Sequence, residues 1–179
     1  MTRGRIGIAA VAAVAFGLLA SLALASGSHD RNGTIGAKLS GYGEVPANIV
    51  AGQARFTADV ASDKITFKLE YSNLTGNPMA AHIHIGQKFA ANGGVSGWIC
   101  GGGGQPACPA ATSGTITGTI ASANVTGPAA QGVNPGDLAG LITAIKHRVA
   151  YVNMHTTKFP GGEIRGQIGG GWEGSKDHH

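Results

Sequence analysis

Three histidines occupy two strand-like segments of the chain and are its best candidates for binding a metal ion. His82 and His84 belong to the run AHIHIG, residues 81–86, and His155 ends the run YVNMH, residues 151–155. Residues i and i+2 of a β-strand point to the same side with Cβ atoms about 6–7 Å apart, so the first two imidazoles could contact one ion. His155 would complete the set if its strand lies beside theirs. Imidazole-rich sites suit copper or zinc.

The neighbouring side chains and the histidines themselves also have structural interpretations. The three imidazoles could instead be hydrogen-bonded in a polar seam near the sheet edge, with no ion. Glu163 is a candidate acceptor that would fix the tautomer of a histidine ring. Because Glu163 and Arg165 lie two residues apart on one strand, the default expectation is a surface or cross-strand ion pair, which contributes little stability. Trp98, Phe89 and Trp172 are expected to anchor loops rather than to form a sugar-binding platform.

The elements that must position these residues are mainly β-strands. Apolar and polar residues alternate over residues 54–60 and again over 65–71, which predicts an antiparallel hairpin with one buried face. Along residues 79–85, alternation places the two histidines on one face and Ile83 and Ile85 on the other. Further strands are expected at residues 34–39, 115–120, 149–155 and 163–168. With 31 glycines in 179 residues, the composition favours a turn-rich all-β domain over long helices.

Two segments depart from the strand pattern. Apolar residues recur at helical spacing over residues 138–145, directly after the suitable N-cap Asp137, so one short helix is expected there. Residues 87–111 are rich in glycine and are expected to form a long loop pinned by a disulfide between Cys100 and Cys108. Closing so short a loop would stabilise the fold by about 2.5 kcal/mol. A thiolate metal pair or a redox pair is the alternative, but the spacing matches neither a zinc ribbon nor a C-x-x-C motif.

Residues 1–25 have the features of a secretory signal peptide. Arg3 and Arg5 form a basic region, an apolar stretch follows over residues 6–24, and the sequence ALA at residues 23–25 supplies the small residues of a cleavage site. The alternative is an uncleaved membrane anchor, because the apolar stretch is long enough to span a bilayer. In either case the body of the protein is expected outside the cytoplasm.

The mature chain is expected to be a nearly neutral single domain. Cleavage would leave residues 26–179, with 11 basic and 9 acidic residues and no cluster of lysine or arginine. Neither nucleic acid nor an anionic membrane is therefore expected as a partner, and membrane attachment is expected only if the leader stays uncleaved. Residues 26–33 are expected to form a polar, flexible lead-in, and residues 169–179 are expected to form a polar tail.

Three segments of the chain share one family resemblance. They are AHIH at residues 81–84, the glycine-rich cysteine loop, and the closing motif YVNMHT…FPGGEIRGQ within residues 151–167. Together they resemble the CHRD domain, which was first described in chordin and is common in exported bacterial proteins, and the resemblance covers residues 34–168. It implies an antiparallel β-sandwich of the immunoglobulin-like or Cu,Zn-superoxide-dismutase-like kind, here with one short helix and a disulfide-pinned loop.

Three functions are compatible with these residues. The first is an exported, secreted or periplasmic CHRD module that binds an extracytoplasmic protein or holds copper or zinc on His82, His84 and His155, without catalysis. The second is a mononuclear copper redox protein or a superoxide-dismutase-like enzyme that uses the same histidines. A dismutase with both metals is not expected, because residues 87–111 contain neither histidine nor aspartate and only His147 remains within the domain. The third is a structural adhesion or matrix module with no ion.

Overall fold

The computed structural model describes Met1 and residues 33–90 and 92–169. The rest of the predicted signal peptide, the lead-in as far as residue 32 and the tail from residue 170 lie outside the described residues, and the expectations for them stay predictions. Within the described ranges, no helix combines the length and the apolar character that a membrane span requires.

The described chain folds into one antiparallel sheet of eight strands with a single short α-helix. The strands are β1 (Gly33–Ser40), β2 (Gln53–Val60), β3 (Ile65–Ser72), β4 (Pro78–Ile85), β5 (Val95–Cys100), β6 (Gly114–Ile120), β7 (Ala150–Thr156) and β8 (Ile164–Gln167). The helix is α1 (Leu138–Lys146), and the hydrogen-bonded strand order is β5-β4-β7-β8-β1-β2-β3-β6. The predicted all-β class is therefore confirmed.

The hairpin of β2 and β3 supplies much of the core. Its strands pair in register from Gln53 opposite Ser72 to Val60 opposite Ile65. Every second residue is buried, as the alternation predicts, and Phe56 packs on Phe67 with ring centroids 6.2 Å apart. Burying side chains of this size contributes roughly 1.5–3 kcal/mol each. Both rings belong to the hydrophobic core cluster.

The sheet curls until its two edge strands, β5 and β6, approach each other. Gly97 of β5 forms an isolated bridge with Val125, just beyond β6. A Cβ atom added at Gly97 would lie 2.8 Å from Leu141 Cδ2 and 3.4 Å from Ile120 Cγ2, so the strand, the helix and β6 meet here in close packing. The curled sheet encloses the core between two layers, which confirms the sandwich-like architecture.

Helix α1 packs against the core beside these edge strands. Asp137 caps it, with Oδ1 accepting a hydrogen bond of 2.8 Å from Gly140 N. Leu141 and Ile145 are buried on its inner side. Both the helix and its N-cap agree with the prediction from periodicity.

The expectation of one long loop over residues 87–111 is wrong in its central part. Residues Val95–Cys100 form β5, which pairs with β4. The register between the two strands shifts at two places along β4, after Ala81 and after Ile83. Such irregularities interrupt the period-2 pattern, so the alternation that reveals the other strands is missing here. The predicted disulfide between Cys100 and Cys108 is confirmed, and it closes the loop that follows β5.

Candidate metal centre

The pairing of β4 with β7 brings the three predicted histidines together. His82 lies opposite Asn153, and His155 lies opposite Ala80, so His155 is diagonal to His82 on the same face. The ring centroid of His82 lies 4.6 Å from that of His84 and 4.6 Å from that of His155. The ring centroids of His84 and His155 are 6.3 Å apart. One ring nitrogen from each residue falls within 4.8 Å of the other two. Two nitrogens bound to one ion at about 2.1 Å are at most about 4.2 Å apart, so a small inward shift of the rings would let one ion contact all three imidazoles.

The apolar residues of β4 explain why the histidines face away from the core. Ala81 and Ile83 are fully buried in the core cluster, which fixes the strand's inner face. Since side chains alternate along a strand, His82 and His84 must occupy the opposite face. That second face is also covered, because both rings are less than a tenth exposed. The histidines therefore occupy a shielded polar layer.

Backbone carbonyls fix the tautomers of two of the rings. His84 Nδ1 lies 2.8 Å from Gly93 O, and His155 Nδ1 lies 2.9 Å from Pro160 O. A carbonyl oxygen can only accept, so each neutral ring carries its proton on Nδ1 and has a lone pair on Nε2. Histidines that bind metals are commonly oriented by this kind of contact to the second nitrogen.

One nitrogen of each ring is buried without any hydrogen-bond partner. These atoms are Nδ1 of His82, Nε2 of His84 and Nε2 of His155. A buried polar atom left unpaired costs roughly 1–3 kcal/mol. A purely structural polar seam would be expected to satisfy these atoms, whereas a ligand set needs its lone pairs free.

The cluster strongly favours neutral imidazoles. Burial, followed by repulsion from His84 and His155, lowers the pKa of His82 from its ordinary value to about 3. Burial is also the main reason that the pKa of His84 falls to about 4 and that the pKa of His155 is lowered. All three rings are therefore uncharged near neutral pH, the form in which imidazole binds a metal.

The lowered pKa values predict that the metal-free fold is sensitive to acid. Above about pH 6.5, His82 and His84 are neutral in both the folded and the unfolded chain and add no pH dependence. Below it, the unfolded chain binds protons that the folded chain does not, until the pH reaches the folded-state pKa values of about 3 and about 4. As the pH is lowered through this range, the free energy of unfolding should therefore decrease by up to about 1.4 kcal/mol per pH unit for each ring.

Urea denaturation of the metal-free protein at several pH values measures this slope. The variant His82→Leu removes one titrating ring and is expected to flatten the dependence. A slope that is unchanged in His82→Leu would contradict the assignment of the acid sensitivity to this residue.

Aromatic rings enclose the histidines on two sides. Trp98 of β5 contacts His82 edge-on, with ring centroids 4.8 Å apart. Tyr151 of β7 stacks almost parallel on His84, with ring centroids 4.7 Å apart. The guanidinium carbon of Arg165 lies 3.5 Å from the centroid of the Tyr151 ring. Sequence reasoning placed Trp98 in a loop and did not single out Tyr151. Tyr151 lies four residues before His155 on the same strand, so alternation places both side chains on one face, and this spacing could have identified Tyr151 as a neighbour of the cluster.

The glycine-rich loop closed by the disulfide packs against Trp98. Gly103 has φ +57°, and a Cβ atom added there would overlap the indole ring. Gly103→Ala combines a left-handed backbone with overpacking and is expected to cost about 2–4 kcal/mol. Gly132→Ala is the matched control, because Gly132 also has a positive φ, +87°, and nothing lies within 4 Å of its added Cβ. Equal urea midpoints for the two variants would show that the loop does not need to fit Trp98 closely.

Glu163 and Arg165 are not the surface ion pair that their spacing suggested. Glu163 is fully buried and accepts hydrogen bonds from Thr75 N, Thr75 Oγ1 and Thr156 Oγ1 at 2.6–2.7 Å. Arg165 is 2% exposed and donates to Gln87 O at 2.9 Å. The expectation fails because the outer face of β8 is covered by neighbouring loops. Among the described residues, the carboxylate of Glu163 accepts hydrogen bonds from Thr75 and Thr156 and not from a histidine ring, so the expectation that it fixes a histidine tautomer is wrong.

The remaining predicted residues lie apart from the cluster. His147 is exposed at the end of α1 and does not join the three histidines. Phe89 is 64% exposed, and Trp172 lies outside the described residues. Among the described residues, no cysteine or carboxylate joins the group either. The donor set is therefore three imidazoles.

Comparison with known proteins identifies the family. No curated protein and no solved structure matches the chain significantly. The family model of the CHRD domain matches residues 35–168, which is about three quarters of the chain. The match includes all three histidines and the disulfide, and an intramolecular disulfide fits an extracytoplasmic location. The chain therefore belongs to the CHRD domain family.

Proposed function

We propose that this protein is an exported, non-catalytic CHRD module that binds one copper or zinc ion through His82, His84 and His155. The observation that carries the proposal is the set of buried ring nitrogens without partners, one on each histidine. Three such atoms in one cluster would cost several kcal/mol in total if nothing bound them. A bound cation would satisfy all of them together.

The chemistry of the donor set supports copper or zinc over other cations. Calcium and magnesium prefer oxygen ligands, and none of the clustered donors is a carboxylate. Imidazole suits both copper and zinc, and copper(II) generally binds a given nitrogen site more tightly. We therefore expect copper(II) to displace zinc from this protein.

Two features support a binding role rather than a dismutase-like enzyme. Among the described residues, no second cluster of histidine, cysteine or carboxylate side chains lies beside the first. A two-metal centre would need such a set. His82 and His84 are also nearly covered, and Trp98 packs against His82. The arrangement is suited to holding an ion in a shielded site.

Metal titration of the purified wild-type protein tests the proposal. Calorimetry with copper(II) or zinc should give one ion per chain, and elemental analysis after gel filtration should retain it. When the free metal concentration is 100 times the dissociation constant, metal binding should stabilise the fold by about 2.7 kcal/mol, which raises the unfolding temperature. Retention of less than about a tenth of an equivalent of either metal would overturn the proposal, since a buried site of this kind should survive gel filtration.

A further inference from the structure

A separate pocket of about 230 Å³ opens beside β1 and β8 and is lined in part by Lys38, Lys88 and Arg165. Tyr42 and Phe89 line the same pocket, and each is 64% exposed. No histidine of the cluster lines it. The pocket thus combines three cationic side chains with two exposed aromatic rings.

The guanidinium of Arg165 is a buried charge whose hydrogen-bond partners are all neutral. It donates to Gln87 O at 2.9 Å and to Asn92 Oδ1 at 3.3 Å, and it lies over the ring of Tyr151. The ion pair found among the described residues joins Lys68 to Glu70, on another part of the sheet. Burying a charge without an opposite charge costs several kcal/mol. An anion in the pocket would offset this cost.

Glu44 is the nearby carboxyl group, but it is poorly placed to act as the counterion. Its Oε1 accepts a hydrogen bond of 2.6 Å from Asn153 Nδ2 rather than from Arg165. Burial raises the pKa of Glu44, which the Asn153 contact and the charge of Arg165 only partly oppose. Glu44 therefore interacts with the charge of Arg165 without forming a close ion pair, and an anion in the pocket would offset that charge further.

The two lysines extend the positive charge to the mouth of the pocket. Lys38 and Lys88 are exposed, and neither forms an ion pair with a described residue. Lys88 Nζ lies 4.8 Å over the ring of Phe89, so charge and aromatic surface adjoin. The volume is below the roughly 300–1,000 Å³ of pockets for drug-sized ligands, which favours a small molecule.

We propose that this pocket binds a small organic carboxylate, with its charge toward Lys38, Lys88 and Arg165 and its apolar part against Tyr42 and Phe89. Carboxylates pair well with guanidinium groups, and the exposed rings provide apolar contact that an inorganic anion could not use. This site does not depend on the proposed metal, so either proposal can fail without the other.

Benzoate is a suitable probe, and NMR titration of metal-free protein, with all chelator removed, is a direct measurement. Saturable shifts are expected at the amides of Gly43 and Gln167, which line the pocket, with a dissociation constant on the order of 1 mM. Acetate, which lacks the ring, and benzyl alcohol, which lacks the charge, should each bind more weakly.

Charge-matched variants locate the binding. Lys38→Gln and Lys88→Gln are expected to weaken benzoate binding about fivefold each, because each removes one exposed cation. Lys64→Gln, in the turn between β2 and β3 and away from the pocket, should leave it unchanged. The proposal is overturned if benzoate fails to saturate, if acetate or benzyl alcohol binds equally well, if phosphate binds and benzoate does not, or if Lys64→Gln weakens binding as much as the pocket variants.

Discussion

Replacing His82, His84 or His155 by alanine is expected to reduce copper(II) or zinc affinity by at least about 100-fold. Changing residues that merely orient metal ligands commonly costs 10–100-fold, and loss of a ligand itself should cost more. All three rings belong to one cluster, so each single variant should have a large effect. Calorimetric titration of the three variants beside the wild type is the measurement.

Two controls separate a metal site from a structural one. His147→Ala removes an exposed histidine that lies outside the cluster and should bind metal as the wild type does. His82→Leu keeps similar volume and removes a buried nitrogen that has no partner. It should therefore abolish metal binding without lowering the stability of the metal-free protein at neutral pH. A loss of several kcal/mol in metal-free His82→Leu would instead indicate a structural role.

Glu163→Leu is expected to destabilise the fold by about 3 kcal/mol or more, because the fully buried Thr156 hydroxyl and two part-buried donors of Thr75 lose their acceptor. Thr75 donates to Oε1 through its backbone nitrogen and its hydroxyl, and Thr156 donates to Oε2. These bonds tie the segment after β3 to the turn between β7 and β8. Since whole domains are stable by only about 5–15 kcal/mol, the variant should unfold in much less urea or fail to fold.

Graded substitutions keep this prediction testable. Glu163→Gln retains Oε1 as the acceptor for Thr75, and its amide nitrogen can donate to the hydroxyl of Thr156, so its cost should be smaller, about 1–2 kcal/mol. Glu70→Leu is the matched control, since Glu70 is exposed and pairs with Lys68 at the surface. Urea denaturation should rank Glu70→Leu as the mildest change and Glu163→Leu as the most severe. Equal midpoints for all three would contradict a stabilising role for Glu163.

Local patterns were sufficient for most of the elements. Alternation revealed the β2–β3 hairpin because one of its faces is in the core and the other is exposed. Helical spacing and Asp137 revealed α1 for a similar reason. Strand β5 was not predicted from the sequence, because bulges break its register with β4. In addition, Gly97 interrupts the strand pattern at a point where Leu141 and Ile120 leave no space for a side chain. That requirement comes from residues distant in the sequence.

The candidate site was predictable as a list of residues but not as an environment. His82 and His84 share a face because of strand geometry, and His155 belongs to a recognisable motif. The burial of Glu163 and Arg165 was not predictable, because loops distant in the sequence cover the outer face of β8. Alternation alone cannot distinguish a covered outer face from an exposed one.

By itself, the sequence determined the family, the disulfide pairing of Cys100 with Cys108, most strands, and the identity of the three histidines. These properties follow from local spacing and from motifs that neighbouring residues carry. Only the tertiary structure decided that β4 and β7 are adjacent in a register that brings His155 to His82. It also decided that one nitrogen of each ring would be buried and left without a partner. Strand order and burial depend on long-range packing, and that packing turns three separate histidines into one candidate metal centre.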